Sequence, residues 1–232
     1  MKKYILILLL TSFFVQSQEK AYWGCINFSV DNNSDAEELV EAMDGLFESP
    51  QAEMIPYTVF LTQIEFKNSA EDFTHQLCFF SPNPDDLQML SKFNNVEAAL
   101  LQMFAKENVE MEQSILGNSL VFDVSKVDLT FTVSYAIDVE DPIAYGKAFM
   151  EFHKAVSKMF DGDIQLHEAI AGQNSGDTHY MNASAKSMGD WFKGKEKIFS
   201  SKAFQTFATK VRPISNITNS VGWTQVKLWN AN

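Results

Sequence analysis

Four histidines and two cysteines are the residues of this 232-residue sequence best suited to chemistry near neutral pH. His167 and Glu168 fall in one predicted strand, and His179 and Tyr180 fall in the next. If the turn is symmetric about residues 173 and 174, His167 faces Tyr180. Glu168 then faces His179 on the other side of the hairpin. Such pairs suit proton transfer, but cross-strand polar pairs also stabilise sheets without any chemistry.

His75 is the counterpart of His179 in the first half of the chain. Each follows a threonine, and the spacing between Thr74-His75 and Thr178-His179 nearly equals that between the similar segments 102–105 and 205–208. Together with a matching order of elements, these identities indicate an internal duplication. We therefore add His75 and His179 to His167, Tyr180 and Glu168 as candidate catalytic residues.

Cys25 and Cys78 fall on neighbouring predicted strands and face the same way. An oxidising compartment would allow them to form a disulfide if their register matches. The alternative is a pair of buried thiols. A catalytic cysteine would need an exposed site and a nearby base, and the sequence indicates neither.

Other familiar chemical motifs are missing from the sequence. It has no metal-ligand spacing, no glycine-rich phosphate loop and no serine-nucleophile motif, so we expect no metal and no cofactor. The net charge is −12, and Lys193, Lys195 and Lys197 form the only dense basic run. Because nucleic-acid binding needs a clustered positive surface, we expect no nucleic-acid partner.

The N-terminus has the pattern of a secretory signal peptide. Lys2 and Lys3 precede an apolar stretch over residues 4–15 that is too short to span a bilayer, and Val15 and Ser17 suit signal cleavage. We predict a signal peptide over residues 1–17, a secreted or periplasmic protein, and no membrane association after cleavage. A retained membrane anchor is the alternative, and a lipoprotein is disfavoured because Cys25 lies too far from the apolar stretch.

Two stretches of the mature chain show the same order of elements. In the first, alternation of apolar and polar residues predicts strands over residues 22–30, 59–66, 75–80 and 109–114, with helices over 34–49 and 83–106. In the second, strands are predicted over residues 128–137, 164–171, 178–185 and 217–229. One helix opens at Asp141-Pro142, and a second helical region opens at Ser187 and continues over residues 201–211. We predict two βαββαβ units, over residues 18–120 and 121–232.

A βαββαβ unit is the ferredoxin-like arrangement, and two such units resemble the dimeric α+β barrel superfamily. That superfamily includes antibiotic-biosynthesis-type monooxygenases and chlorite dismutase relatives. The resemblance implies an α+β fold in which the dimer is fused within one chain as a pseudo-twofold barrel. Because each unit already supplies the other's partner surface, we expect a monomer. No catalytic motif of the superfamily is present, and no histidine matches a haem ligand.

The polar faces of adjacent predicted strands should line the barrel. The inner wall is predicted to include Trp23, Cys25, Asn27, Gln63, Glu65, Gln76, Cys78, Thr130, Thr132, Ser134, His167, Tyr180 and Asn182. Among these, Trp23, Asn27, Glu65, Gln76, Thr132 and Asn182 are the candidate ligand-binding residues. The alternative is a set of hydrogen-bonded polar residues where two sheets meet.

Three functions agree with these patterns. The first is binding of a small molecule in the barrel or between helices and sheet. The second is a cofactor-independent enzyme resembling a monooxygenase or an isomerase. The third is a structural or interaction protein without a pocket. The sequence does not decide whether the chain is an enzyme.

Overall fold

The computed structural model describes residues 21–30, 33–48, 58–69, 71–88 and 109–229. The predicted signal peptide and most of the helix predicted up to residue 106 lie outside these ranges. Within them, no helix has the length and apolar character needed to cross a membrane.

The described elements follow the predicted order. In chain order they are β1 (Tyr22–Val30), α1 (Asn33–Phe47), β2 (Thr58–Phe66), β3 (His75–Ser81), α2 (Pro84–Gln88), β4 (Val109–Val121), a 3-10 turn (Val124–Lys126), β5 (Phe131–Val139), α3 (Pro142–Val156), β6 (Asp163–Ala171), β7 (His179–Ala185), α4 (Met188–Phe199), α5 (Lys202–Val211) and β8 (Ser215–Trp229).

The eight strands form a closed antiparallel barrel in the order β1-β3-β2-β8-β5-β7-β6-β4, with β4 returning to β1. Each half of the chain contributes a four-stranded sheet with the ferredoxin-like order, β4-β1-β3-β2 and β8-β5-β7-β6. The two sheets meet where β2 pairs with β8 and β4 pairs with β6. Because side chains alternate along each strand, one face of every strand points into the barrel and the other points outward.

The helices cover the outward faces and form two apolar cores there. In the first half, Leu39 and Met43 of α1 pack on outward residues of β1 and β2 such as Phe28 and Leu61. In the second half, α3, α4 and α5 cover a larger, strongly aromatic core, which contains Tyr145, Phe149, Phe152, Trp191 and Phe207. Burial of this apolar surface is the main contribution to the stability of the fold.

Local signals in the sequence place the starts of these helices. The Asp141 carboxylate accepts a hydrogen bond from the Ala144 N–H, with Pro142 in the first turn. Ser187 Oγ accepts from the Asp190 N–H at the start of α4, and Ser201 Oγ accepts from Phe204 N–H at the start of α5. The predicted helix starts at Asp141 and Ser187 are confirmed, because a side-chain acceptor satisfies backbone donors of the first turn. The separate start at Ser201 was not predicted.

Two strand boundaries differ from the prediction by three residues or more. β4 continues to Val121 instead of ending at Ser114, since it pairs with both β1 and β6 and so bridges the two sheets. β5 begins at Phe131 rather than at residue 128, because a turn after the 3-10 helix occupies the preceding residues. The extension of β4 matters for the site, since it carries Ser119.

Candidate functional site

The interior of the barrel contains a cavity of about 120 Å³. An apolar cavity of about 150 Å³ is known to hold a benzene molecule, so this space suits a ligand of roughly one ring. Its aromatic lining residues are Trp23, Phe60, Phe73, Phe80, Phe122, Tyr180 and Trp223. The wall is therefore apolar over most of its area, with a few polar groups among the rings.

Trp23 contacts two other rings of this wall. Its ring meets His167 edge-on, with centroids 6.0 Å apart, and Tyr180 edge-on at 6.1 Å. Gly117 on the neighbouring β4 makes room for the indole, since a Cβ there would overlap both the ring and the Glu168 carbonyl oxygen. The geometry at Trp23 thus depends on a glycine that the sequence alone does not mark.

Two polar atoms of the cavity wall are buried without a hydrogen-bond partner among the described residues. They are the Trp23 Nε1, a donor, and the Asn182 Oδ1, an acceptor. Leaving such a group unsatisfied costs about 1–3 kcal/mol. Both atoms would gain a partner from a molecule that offers an acceptor and a donor.

His167 is held in the wall by a chain of hydrogen bonds. The Gln165 Nε2 donates to Asp163 Oδ2 (2.9 Å), which orients the amide so that its Oε1 faces His167 Nε2 at 3.0 Å. His167 Nε2 is therefore the protonated nitrogen. His167 Nδ1 then accepts from the Ser119 hydroxyl at 2.9 Å. Burial lowers the pKa of His167 to about 3, so the ring is neutral and weakly basic.

Two carboxylates lie at one end of the cavity, which we call the acidic end: Glu71 from the β2–β3 turn and Asp177 from the β6–β7 turn. Burial and the charge of Asp177 raise the pKa of Glu71. Burial, followed by the charges of Asp177 and Glu71, raises the pKa of the Tyr180 phenol. Tyr180 therefore remains a neutral hydrogen-bond donor at neutral pH.

Most of the predicted site residues lie on the cavity wall. Trp23, Asn27, Gln76, His167, Tyr180 and Asn182 line it, and the register places His167 opposite Tyr180 as predicted. Gln76 Nε2 donates to Asn27 Oδ1 at 2.7 Å, and Asn27 Nδ2 donates to Gln113 Oε1 at 3.1 Å. Thr132 faces the interior but donates to Ser184 Oγ at 2.7 Å, and the cavity does not reach it.

Cys25 and Cys78 lie directly opposite each other on β1 and β3 and are joined by a disulfide. Both line the cavity and are almost fully buried. The bridge ties together the two strands that carry Trp23 and Phe80.

The predicted inner-wall positions on β2 were wrong. Gln63 and Glu65 are exposed on the outer side, whereas Phe60 and Ile64 line the cavity. Thr130 is also exposed, because it lies before β5 begins.

His75, His179 and Glu168 lie on the outer side of the barrel, away from the cavity. Glu168 faces His179 as predicted. Each of the two histidines has its Nδ1 2.9 Å from the hydroxyl of the preceding threonine. The His75 ring stacks on Phe28, and the His179 ring packs against Tyr145. Burial lowers the pKa of both.

Four site residues were not anticipated: Ser119, Gln165, Glu71 and Asp177. Gln165 is two residues before His167 on the same strand face, so the strand period could have found it. Ser119 lay beyond the predicted end of β4. Glu71 and Asp177 belong to turns, and only the closure of the barrel brings these turns to the same cavity.

The closed barrel with helices outside defines the fold as a dimeric α+β barrel. The structure is similar to a candidate monooxygenase from Lactobacillus acidophilus NCFM, with a TM-score of 0.63 and 8% identity over 92% of this chain and 97% of that one. It is also similar to an anthrone oxidase-like protein, with a TM-score of 0.61 and 11% identity over 93% and 95% of the two chains.

A haem-binding protein from Thermus thermophilus is similar at a TM-score of 0.53 and 10% identity, over 89% of this chain and 91% of that one. No protein-family model matches the sequence, and no curated protein matches it. At these identities the likeness concerns the fold alone.

The described residues do not fit haem. The cavity is smaller than the roughly 300–1,000 Å³ typical of pockets for drug-sized ligands, and both ring nitrogens of His167 already have partners. The space under the second-half helices is filled by fully buried side chains such as Phe149. In the described ranges, no three histidine, cysteine or acidic side chains are grouped to hold a metal ion.

Proposed function

We propose that this chain is an exported protein whose barrel binds a small molecule of about one aromatic ring. The observation that carries the proposal is a pair of atoms without a hydrogen-bond partner among the described residues, Trp23 Nε1 and Asn182 Oδ1, in the wall of an aromatic cavity. A carbonyl group on the ligand would accept from Trp23, and an N–H or O–H group would donate to Asn182. The rings of the wall would supply the contact area.

Binding of benzamide tests this proposal, because its amide carries both groups. Titration calorimetry and the fluorescence of the cavity tryptophans should show saturable binding to the mature protein. The substitution Ala136→Phe places a ring in the cavity and should abolish binding, with Ser134→Leu as a milder filling variant. Glu65→Gln, on the exposed outer side, is the matched control and should bind as the wild type does. Equal affinity in the filled variants would contradict the proposal.

Export and organisation are further parts of the proposal. We propose that residues 1–17 are removed and that the protein is secreted or periplasmic, which agrees with an interior disulfide. We also propose that residues 18–120 and 121–232 descend from one duplicated unit and that the mature protein is a monomer. N-terminal sequencing of the exported protein should begin at Gln18. Light scattering should give the mass of one chain.

A second candidate function is cofactor-independent proton transfer, favoured by the Tyr180 phenol and two carboxylates sharing one cavity. Asp177 would remove a proton from the carbon next to a ligand carbonyl. Tyr180 and Trp23 would donate hydrogen bonds to the enolate oxygen, and the proton would return to carbon. His167 is less suited to this role because both nitrogens are occupied and its pKa is low.

Proton exchange at the methyl group of acetophenone in D₂O, followed by NMR, tests this alternative. The wild type should exchange faster than buffer, and Asp177→Asn should return the rate to that of buffer. Oxygenase activity is a further form of this alternative, because the similar structures include a candidate monooxygenase and an anthrone oxidase-like protein. Dissolved-oxygen uptake with hydroquinone, a one-ring compound that the cavity volume admits, would detect it. A protein that binds benzamide but shows neither reaction is a binding protein.

A further inference from the structure

We propose that the ligand of the barrel cavity is a cationic aromatic amine, whose charge is held by Glu71 and Asp177 at the acidic end. The inference rests on the proposed binding function and specifies the chemistry of its ligand. It is carried by three observations: a buried and a half-buried carboxylate without a cationic partner among the described residues, their place at one end of the cavity, and the aromatic rings beside them.

Both carboxylates are built into the structure by neutral donors. Asp177 is 4% exposed and accepts a hydrogen bond from the Thr218 hydroxyl. Glu71 Oε1 accepts from Asn219 Nδ2 at 2.6 Å. Thr218 and Asn219 are adjacent on β8, so one strand orients both acidic groups toward the same end of the barrel. Neutral donors fix their positions but leave their charges uncompensated.

No lysine, arginine or histidine of the described ranges lies within 4.0 Å of either carboxylate. Lys67 is near enough to lower the pKa of Glu71 partly, but its Nζ donates to the carbonyl oxygens of Asp72 and Phe73, each at 2.9 Å. Lys126 also lines the cavity, but its Nζ donates to the Gly162 carbonyl oxygen. Gly162 precedes β6 and Asp177 follows it, so the Lys126 ammonium lies at the opposite end of β6 from Asp177. The acidic end therefore has an excess of negative charge.

Burying carboxylates near each other is unfavourable unless a cation compensates them. The raised pKa of Glu71 reflects this cost in the ligand-free protein. A ligand ammonium between the two carboxylates would replace repulsion with two charge-assisted hydrogen bonds. An anionic ligand would add to the repulsion, so the site selects by charge.

The aromatic wall continues from the acidic end into the barrel. Tyr180 adjoins the carboxylates, whose charges raise its pKa, and Trp23 meets Tyr180 edge-on. Ring faces also attract cations, and the cavity volume limits the buried part to about one ring. An ammonium at the acidic end and a ring with a polar substituent near Trp23 would satisfy both ends of the cavity.

Three para-substituted benzamides test the proposal: 4-(aminomethyl)benzamide and 4-(hydroxymethyl)benzamide, which have substituents of the same size but different charge, and the larger, anionic 4-(carboxymethyl)benzamide. Calorimetric titration of the mature protein at neutral pH should give a dissociation constant for the amine at least about tenfold below that of the alcohol, a difference of about 1.4 kcal/mol. The carboxylate should bind more weakly than the alcohol. Added salt should narrow the difference between the amine and the alcohol.

Asp177→Asn and, independently, the less buried Glu71→Gln should each reduce the ratio of the alcohol's dissociation constant to the amine's, because each removes one negative charge from the acidic end. Glu65→Gln removes an exposed carboxylate outside the barrel and should leave the preference intact. Equal binding of amine and alcohol by the wild type would overturn the cationic ligand but leave the proposed binding function standing. Failure of all three compounds and of benzamide to bind would overturn both.

Discussion

The outer and inner faces of the barrel differ in how far the two halves of the chain agree. On the outer face, His75 pairs with Phe28 and His179 pairs with Ile137 at the same place in each half. On the inner face, the first half has the Cys25–Cys78 disulfide, whose two residues face each other on adjacent strands. At the equivalent positions of the second half, Ser134 faces Asn182 and no bridge is present. Agreement outside and divergence inside are what we expect if the outer face maintains the fold and the inner face carries the proposed binding function.

The agreement on the outer face extends to individual hydrogen bonds. Thr74 Oγ1 accepts from the Val30 N–H at 3.0 Å, and Thr178 Oγ1 accepts from the Val139 N–H at 2.9 Å. Each hydroxyl is also 2.9 Å from Nδ1 of the following histidine. A buried polar group needs such partners in any fold, so these histidines are accounted for by structure alone.

The largest effect should come from the disulfide, which only the first half has. The double substitution Cys25→Ala/Cys78→Ala should lower the free energy of unfolding by about 2–4 kcal/mol, because the bridge closes a long loop in the unfolded chain. Urea denaturation under oxidising conditions measures this. The matched pair Ser134→Ala/Asn182→Ala should cost less than about 1 kcal/mol. Similar losses in both pairs would contradict the assignment of different roles.

His167 should make stability depend on pH. Its pKa is about 3 when folded and near 6.5 when unfolded, so the unfolded chain binds its proton first as the pH falls. The free energy of unfolding should therefore decrease as the pH falls below about 6.5, by up to about 1.4 kcal/mol per pH unit from His167. His75, His153 and His179, whose pKa values are also lowered, add to this loss.

Urea denaturation at several pH values between about 4.5 and 6.5 should show a shallower slope for His167→Gln than for the wild type. Asp163 and Glu71 have raised pKa values and oppose the trend in both proteins. An unchanged slope would mean that His167 titrates normally and is not enclosed as the structure has it.

The repeated threonines should have equal effects. Thr74→Val and Thr178→Val each remove a hydroxyl that joins a backbone N–H to a histidine, and each should cost about 1–2 kcal/mol. Thermal or urea unfolding compares the two. A difference of more than about 1 kcal/mol between the two variants would show that the outer faces of the two halves are not equivalent. Loss of benzamide binding in either variant would show that the outer face affects the cavity.

The smallest effect should come from Glu65, which was predicted to bind ligand and lies outside. Glu65→Ala should change the free energy of unfolding by less than about 0.5 kcal/mol and leave benzamide affinity unchanged. Trp23→Phe, at a true wall position, should weaken benzamide binding because it removes the Nε1 donor. Calorimetric titration of the two variants with benzamide compares an outer-face position with an inner-face position directly.

The sequence predicted the order of elements well because amphipathic periodicity is a local property. The alternating residues of β1 and β5, the caps at Asp141 and Ser187, and the facing of His167 with Tyr180 all follow from short stretches of chain. It also suggested which residues share a face on most strands. The assignment failed on β2, where apolar Phe60 and Ile64 face a cavity and polar Gln63 and Glu65 face water.

The sequence by itself determined which stretches become strands and helices, since periodicity and capping act over a few residues. Only the tertiary structure decided which side of each strand faces the interior, because both sides of a barrel strand can be buried. The tertiary structure alone shows the hydrogen bond between Ser119 and His167 and places Glu71 and Asp177 at one end of a cavity. Those contacts join residues far apart in the chain, and barrel closure fixes them through strand register.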